Sequence, residues 1–481
     1  MDNYKAYFEN KKITKQGFGV LGRGLGAVKF LLKNNAQVLV TDTKEESFFK
    51  DQILELKNWM LENNIGEENI KFVFGKHEMK DFINCDYVVQ ASGVPKDNVY
   101  LNHARENNIP VYQESSLFLN IVRDFNNNLE KENKIKIITI TGTRGKTTTT
   151  NLIFSILSEF YKDREVYLGG NIQGISTIEL LEKLKEKDIV VMESDSWISQ
   201  GFENIKFSGD IAIFTNLMRD HMNYYKDDMS EYFTDKAQTF LYQNENSVLV
   251  AEDGLKICLE KYLKAEYRNI YNDSKNKKIF LNKEDIKKDE DIFESQLKGE
   301  HNRLNISLAV RVALELNIDL DSIKNSVKNF KGVSGRLELV KEENGVEYYN
   351  DTTATTGEAT VAAINAFRNV NKKIILITGG TDKKLEIENY IEKLIKNKNE
   401  GKIKDIIFLS DETTTGTKKA LEKMEEENFS DYIFAESLEK AVEIAKEKAG
   451  SGDIILFSPG FASFGMFLNE YDRGEKFLKL I

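Results

Sequence analysis

IITITGTRGKTTTT, residues 137–150, is the stretch from which the rest of the chain can be read. Ile137, Ile138 and Ile140 form a β-branched run that predicts a buried strand. Gly142 and Gly145 break it, Lys146 follows, and Thr147–Thr150 lead into the helix-like NLIFSILSEF. A strand, a glycine turn and a helix start make a phosphate cradle: backbone N–H groups and the helix dipole face the anion, and the lysine reaches the outer phosphates. A hydroxyl directly after the lysine, Thr147, suits Mg²⁺. The commoner P-loop, GxxxxGK[ST], needs a glycine where Ile140 stands, so the loop here is the shorter TGTxGKTT. The plain alternative is a glycine turn with a surface lysine. Strand, turn, lysine and threonine together favour a nucleotide-phosphate site.

Outward from this loop, the chain is long enough, at 481 residues, for several domains. A net charge of −11 argues against nucleic acid or an anionic membrane as a general partner. Cys85 and Cys258 form no CxxC pair, which fits a reducing compartment. The N-terminus has no apolar signal-like run, and no apolar stretch approaches a membrane span. A cytoplasmic enzyme is expected.

Upstream, GFGVLGRGLGAVKFLLKNNAQVLVTD (17–42) reads as strand, glycine turn, helix and strand. Gly22, Gly24 and Ala27 fit G-x-G-x-x-G/A, and Asp42 stands 20 residues after Gly22. The pattern asks for an anion or ribose at the turn without requiring NAD, and glycines serving only helix packing would match it too. CDYVVQASGVP (85–95) is another strand ending in the Ser92–Gly93 loop. The expected domains are 1–120, 121–333 and 334–481, with DFNNNLEKENK (124–134) as a linker. In the middle domain, strands end near Asn171, Glu193 and His221, where a doubly wound parallel sheet binds its ligands. Residues 243–298 look less regular, and antiparallel strands are expected there. From Gly332 on, GRLELV and GVEYYND read as paired strands, followed by a third α/β sheet.

TGTRGKTTT, GGN at 169–171, Glu193, DHMNYY, a lysine 15 residues past His221, HNRLN, GRLE, NDTTAT and SPGFASF occur in this order. Together they resemble the Mur ligase family of ATP-dependent amide ligases. The resemblance implies three α/β domains: a Rossmann-like domain for the UDP end of the substrate, a central mostly parallel ATPase sheet, and a Rossmann-like C-terminal domain. It is nearest to the branch that joins D-glutamate to UDP-N-acetylmuramoyl-L-alanine. It implies ATP, two Mg²⁺ ions, and CO₂ as a carbamate on Lys236. It further implies no nucleic-acid or membrane partner, and a monomer.

By that resemblance Gly142, Thr143, Arg144, Gly145, Lys146, Thr147 and Thr148 hold the ATP phosphates. Thr147, Glu193, His221 and carbamylated Lys236 serve the metal. Asn302 and Asn305 match nucleotide-side asparagines, although alone they would read as helix caps. Arg336 matches a γ-phosphate contact reached by domain closure, and Asp351 a ribose contact. Gly22, Gly24, Asp42, Thr43, Ser92, Gly93 and Asn171 fall on the UDP-substrate side. Thr355, Lys383 and Ser463 fall on the side of the incoming amino acid. Three positions depart from the pattern: Thr353 replaces a lysine, Glu470 an aromatic, and Asp195 a serine. A family ligase with another acceptor such as L-glutamate, a folylpolyglutamate-type ligase, and an NAD(P)-binding oxidoreductase are the alternatives.

Overall fold

A computed structural model describes residues 2–19, 23–91, 93–172, 174–383 and 385–481. The chain divides into two compact units, Met1–Ile292 with Leu304–Ser326, and Phe293–Arg303 with Val327–Ile481.

The first unit holds two parallel sheets. One consists of β1 (Lys12–Gln16), β2 (Gln37–Thr41), β3 (Ile70–Val73), β4 (Tyr87–Gln90) and β5 (Val111–Gln113), in the order β3-β2-β1-β4-β5. The other consists of β6 (Lys136–Thr141), β7 (Val166–Gly170), β8 (Ile189–Glu193), β9 (Ile211–Phe214), β10 (Val248–Glu252) and β11 (Lys277–Leu281), in the order β11-β10-β9-β6-β8-β7. In each, the first strand lies centrally, and successive strands go first to one side and then to the other. That reversal opens a crevice at the carboxyl ends, where α/β sheets bind ligands. Strand β9 is a continuous apolar run, β8 is one up to Glu193, and β6 is buried from Ile137 on with Thr139 and Thr141 among its isoleucines, in keeping with burial on both faces.

The helix Glu114–Asn126 joins the two sheets. Its Phe118, Ile121 and Val122 pack in one core with Ile137 and Val190 of the second sheet and Phe202 of the helix Ser196–Ile205. The Arg123 guanidinium donates to the Ile205 carbonyl at 2.7 Å. The helix runs into the expected linker, which is tied down: the Asn126 amide exchanges two hydrogen bonds with the backbone of Ile135, at 2.8 and 2.9 Å.

One expectation fails in residues 243–298. Strands β10 and β11 pair in parallel, with helices Gly254–Tyr262, Ala265–Asp273 and Lys283–Ile292 around them. Dense charge hides the periodicity there: β11 lies at the sheet edge and fully buries only Leu281.

The second unit carries β12 (Glu338–Glu343), β13 (Val346–Asn350), β14 (Ile374–Thr378), β15 (Ile403–Leu409), β16 (Ile433–Ala435) and β17 (Ile454–Phe457). Their order is β12-β13-β17-β14-β15-β16. The β12–β13 pair is antiparallel, as GRLELV and GVEYYND predict, and the other pairs are parallel.

Candidate active site

Strand β6 delivers the chain to Gly142, whose φ is 134°. A side chain could not stand there, because a Cβ would lie 2.0 Å from Thr215 Oγ1. Gly145, in the left-handed conformation, caps the helix Lys146–Phe160. The turn is held from the neighbouring strand end: Thr143 N donates to Asn216 O at 2.9 Å, and Arg144 N to Asn216 Oδ1 at 2.9 Å. Lys146 folds back over the turn, its Nζ 2.9 Å from Thr143 O. Thr147 and Thr148 sit half-buried in the first helical turn. Asn305 is buried beneath the loop and accepts from Thr149 Oγ1 at 3.3 Å. It lies inside the helix Glu300–Glu315 and is therefore no cap. Asn302, on the same helix, donates from Nδ2 to Lys298 O at 2.7 Å.

Acidic and basic groups gather around this loop. Glu193 ends β8 with its carboxylate 3 % exposed. Its Oε1 accepts from Asn171 Nδ2 at 3.4 Å, whereas Oε2 is buried with no hydrogen-bond partner among the described residues. A buried carboxylate oxygen without a donor is an open position for a cation. Lys236, on the helix Met229–Leu241, is 1 % exposed and donates to Gly142 O at 2.7 Å. Burial, with Lys146 adding repulsion, pulls its ammonium far below the usual lysine range, against the pull of Asp195, Asp220 and Asp235. His221 follows β9 at φ 55°, a backbone region costly for a non-glycine residue. Its Nε2 lies 3.9 Å from Asp220 Oδ2. Burial lowers its pKa, so the ring favours the neutral, metal-ligating form. Among the described residues, no three His, Cys, Asp or Glu side chains form a ready metal cluster. Mg²⁺ fits Thr147, Glu193 and His221 only with phosphate and water completing its shell.

On the first sheet the structure corrects the expected glycine turn. Strand β1 ends at Gln16, and the turn uses Gly17 (φ 82°) and Gly19 (φ 71°), five residues before the predicted start. Gly24 and Ala27 lie within the helix Arg23–Lys33. Gly24 lets that helix approach the turn, since a Cβ there would meet Phe18 O at 1.8 Å. Gly22 and Ser92 lie outside the described residues. Asp42, expected at a ribose, accepts from Phe18 N and Lys44 N, both at 3.0 Å, and so braces the turn. Thr43 beside it is exposed. A cleft of about 440 Å³ opens at the carboxyl ends of the first two sheets, lined among others by Gly17, Gly19, Gly93 and Asn171. Asp42 and Thr43 are not part of its described lining.

In the second unit the expected acceptor residues converge at the carboxyl ends of the adjacent strands β13, β17 and β14. Lys383 Nζ donates to Thr355 Oγ1 at 2.8 Å. Thr381 and Ala462 form a two-bond bridge, which brings the loop of Lys383 beside buried Ser463. Asp351 accepts from Leu337 N at 3.0 Å and Ser458 Oγ at 2.7 Å, pinning the turn that carries exposed Arg336. Burial raises the Asp351 carboxyl to about 7.

Residues 140–313 match the Mur ligase middle domain, and residues 335–461 match the Mur ligase glutamate ligase domain. UDP-N-acetylmuramoylalanine–D-glutamate ligase of Borreliella burgdorferi is 33% identical, with 98% of each chain covered. The ligase of that name from Clostridium tetani is 32% identical, over 100% of this chain and 98% of its own. This chain belongs to the Mur ligase family. Solved structures of Mur ligases share its fold: MurF of Thermotoga maritima in complex with ADP (TM-score 0.55, 15% identity, 99% and 95% covered) and MurC of the same organism (0.53, 17%, 98% and 99%).

Each departure from the Mur ligase pattern has a visible place. Thr353 turns its hydroxyl to Gly335 O at 2.9 Å. Glu470 opens the helix Glu470–Leu480, where its carbonyl accepts from Thr352 Oγ1 at 2.8 Å. Asp195 caps the helix Ser196–Ile205 by accepting from Ile198 N at 2.8 Å. One residue absent from the sequence expectations is Arg473, 1 % exposed, whose guanidinium donates to Thr352 O at 2.6 Å and Phe461 O at 3.1 Å. It fastens the two loops that carry Thr355 and Ser463. The motif SPGFASF ends before it, and no spacing ties it to that segment.

Proposed function

We propose that this Mur ligase joins D-glutamate to UDP-N-acetylmuramoyl-L-alanine at the expense of ATP, a cytoplasmic step in peptidoglycan precursor synthesis carried out by a monomer. The observation that carries this reading is the pairing of full-length similarity to ligases of that name with a phosphate loop flanked by a buried, half-partnered carboxylate. In the first step an oxygen of the alanyl carboxylate attacks the γ-phosphorus, and ADP leaves. In the second the D-glutamate nitrogen, having shed one proton from its ammonium form, attacks the resulting acyl phosphate, the C–N bond forms, and phosphate leaves while the nitrogen gives up a second proton and keeps one as the amide N–H.

The approach of two anions in the first step requires local positive charge. Lys146 supplies it from the loop, with Gly142–Thr148 cradling the phosphates and Asn302, Asn305, Arg336 and Asp351 on the nucleotide. Mg²⁺, two ions of it, supplies Lewis-acid charge at the reacting phosphate. Thr147, Glu193 and His221 would hold it, together with Lys236 once carbamylated. The depressed pKa of Lys236 favours its neutral amine, and that is the form whose nitrogen attacks CO₂, forming an N–C bond and releasing a proton. Gly22, Gly24, Asp42, Thr43, Ser92, Gly93 and Asn171 serve the UDP-substrate side, and Thr355, Lys383 and Ser463 the glutamate.

The test is isotopic. Substrate labelled with ¹⁸O in the alanyl carboxylate should pass one labelled oxygen to the released phosphate for each amide formed. Amide formation with unlabelled phosphate would refute the acyl-phosphate route.

A further inference from the structure

Strand β1 reads Lys-Ile-Thr-Lys-Gln, although it is the central strand of a parallel sheet. Such a strand is expected to be apolar throughout. In register with Lys15 stand Val40 of β2 and Val89 of β4. Lys15 is nonetheless 3 % exposed. Among the described residues its Nζ donates only to backbone carbonyls, Gln16 O at 3.4 Å and Gly17 O at 3.1 Å. The acids that act on it, Glu114 and Asp42, do so without an ion-pair contact among the described residues.

An ammonium buried without a paired acid loses its hydration with little return, so its retention calls for a purpose. Local rules broken inside an otherwise regular sheet tend to fall at functional sites. The place fits. Lys15 lies directly below the Gly17–Gly19 turn and lines the cleft of about 440 Å³. Among the described lining residues it is the only lysine or arginine, and Glu114 is the only acid. A nucleoside diphosphate brings two or more negative charges into such a cleft, in a chain whose net charge is already −11.

We propose that Lys15 is the cation that binds the diphosphate of the nucleotide-sugar substrate, set beneath the glycine turn at the end of β1. The inference rests on the ligase reading above and adds to it a charged residue within the first sheet. The ammonium is held in place by the two carbonyls before substrate arrives, so that it binds phosphate oxygen without first ordering a flexible side chain.

The experiment is calorimetric titration of the full chain, without ATP, using UDP and uridine as separate probes. Wild type should bind UDP more tightly than uridine. Lys15→Met should lose about 10- to 100-fold in UDP affinity and leave uridine affinity unchanged. Lys15→Gln, which keeps a polar end without charge, should behave alike and replaces the methionine variant if that one does not fold. Unchanged UDP affinity in a folded variant overturns the proposal. Equal loss for UDP and uridine also overturns it, because the lysine would then be shaping the cleft. If wild type binds neither probe, the ligase reading itself fails, and this one with it.

Discussion

Strands β1 and β6 hold equivalent places: each is central in its sheet, and each leads through glycines of positive φ into a helix. Their compositions differ in charge. β6 buries Ile137, Ile138 and Ile140 with the neutral Thr139 and Thr141, whereas β1 buries the charged Lys15 with Ile13, Thr14 and Gln16. The first pattern is the ordinary solution for a strand covered on both faces. The second places polar groups at the end of a strand beside a cleft. The same topology therefore supports two ways of meeting phosphate: at β6 the lysine comes after the turn, and at β1 we place it before.

The contrast can be broken by mutation. The largest effect is expected at Lys146→Ala, which should lower phosphate release by about 10³-fold. UDP affinity, measured by calorimetry, should stay unchanged in that variant, since we propose the UDP side at the other turn. Next, depletion of CO₂ from the buffer should lower wild-type turnover by about 10-fold or more, with recovery on adding bicarbonate. Lys236→Ala should be slow under both conditions, and a fully active Lys236→Ala enzyme would end the carbamate proposal.

Smaller effects concern stability. Gly142→Ala combines strained φ with a 2.0 Å contact and should cost several kcal/mol, roughly 3 or more, in denaturant unfolding. Lys15→Met should be the more stable protein near neutrality, because burial pulls Lys15 from 10.5 to about 8 in the folded chain. The sign follows from the protonated form being disfavoured in the folded state. The penalty is complete below pH 8 and fades as pH rises toward 10.5. The advantage of the methionine variant, on the order of 3 kcal/mol, should shrink across that window in melts at stepped pH. The smallest effect is at Gly19→Ala, where nothing among the described residues lies within 4 Å of the added Cβ, and the positive φ costs about 1 kcal/mol.

The same contrast explains what could be read from the residues. The loop after β6 was legible because isoleucines mark the strand and Gly142, Gly145 and Lys146 mark its end. The start of the turn after β1 is hidden because Lys15 and Gln16 conceal the strand, and Gly24, which the spacing assigns to the turn, lies within the helix. Motif order also points to Glu193 at the end of β8, to His221 in the loop after β9 and to Lys236 on the helix that follows it. It did not reveal that Asp42 braces a turn, that Asp351 is occupied by Leu337 N and Ser458 Oγ, or that Arg473 fastens the acceptor loops. Those roles arise from contacts between segments distant in sequence, for which no local spacing exists. The helices between 254 and 292 were missed because surface charge outweighs their apolar face.

The measurement that tests the central claim most directly is phosphate release from ATP and Mg²⁺ with UDP-N-acetylmuramoyl-L-alanine, comparing D-glutamate, L-glutamate, L-lysine and no amino acid. The account predicts sustained release with D-glutamate alone, despite Thr353 and Glu470. Release with L-glutamate alone would contradict the proposed acceptor, and no release with any of the four would contradict the proposed ligase activity.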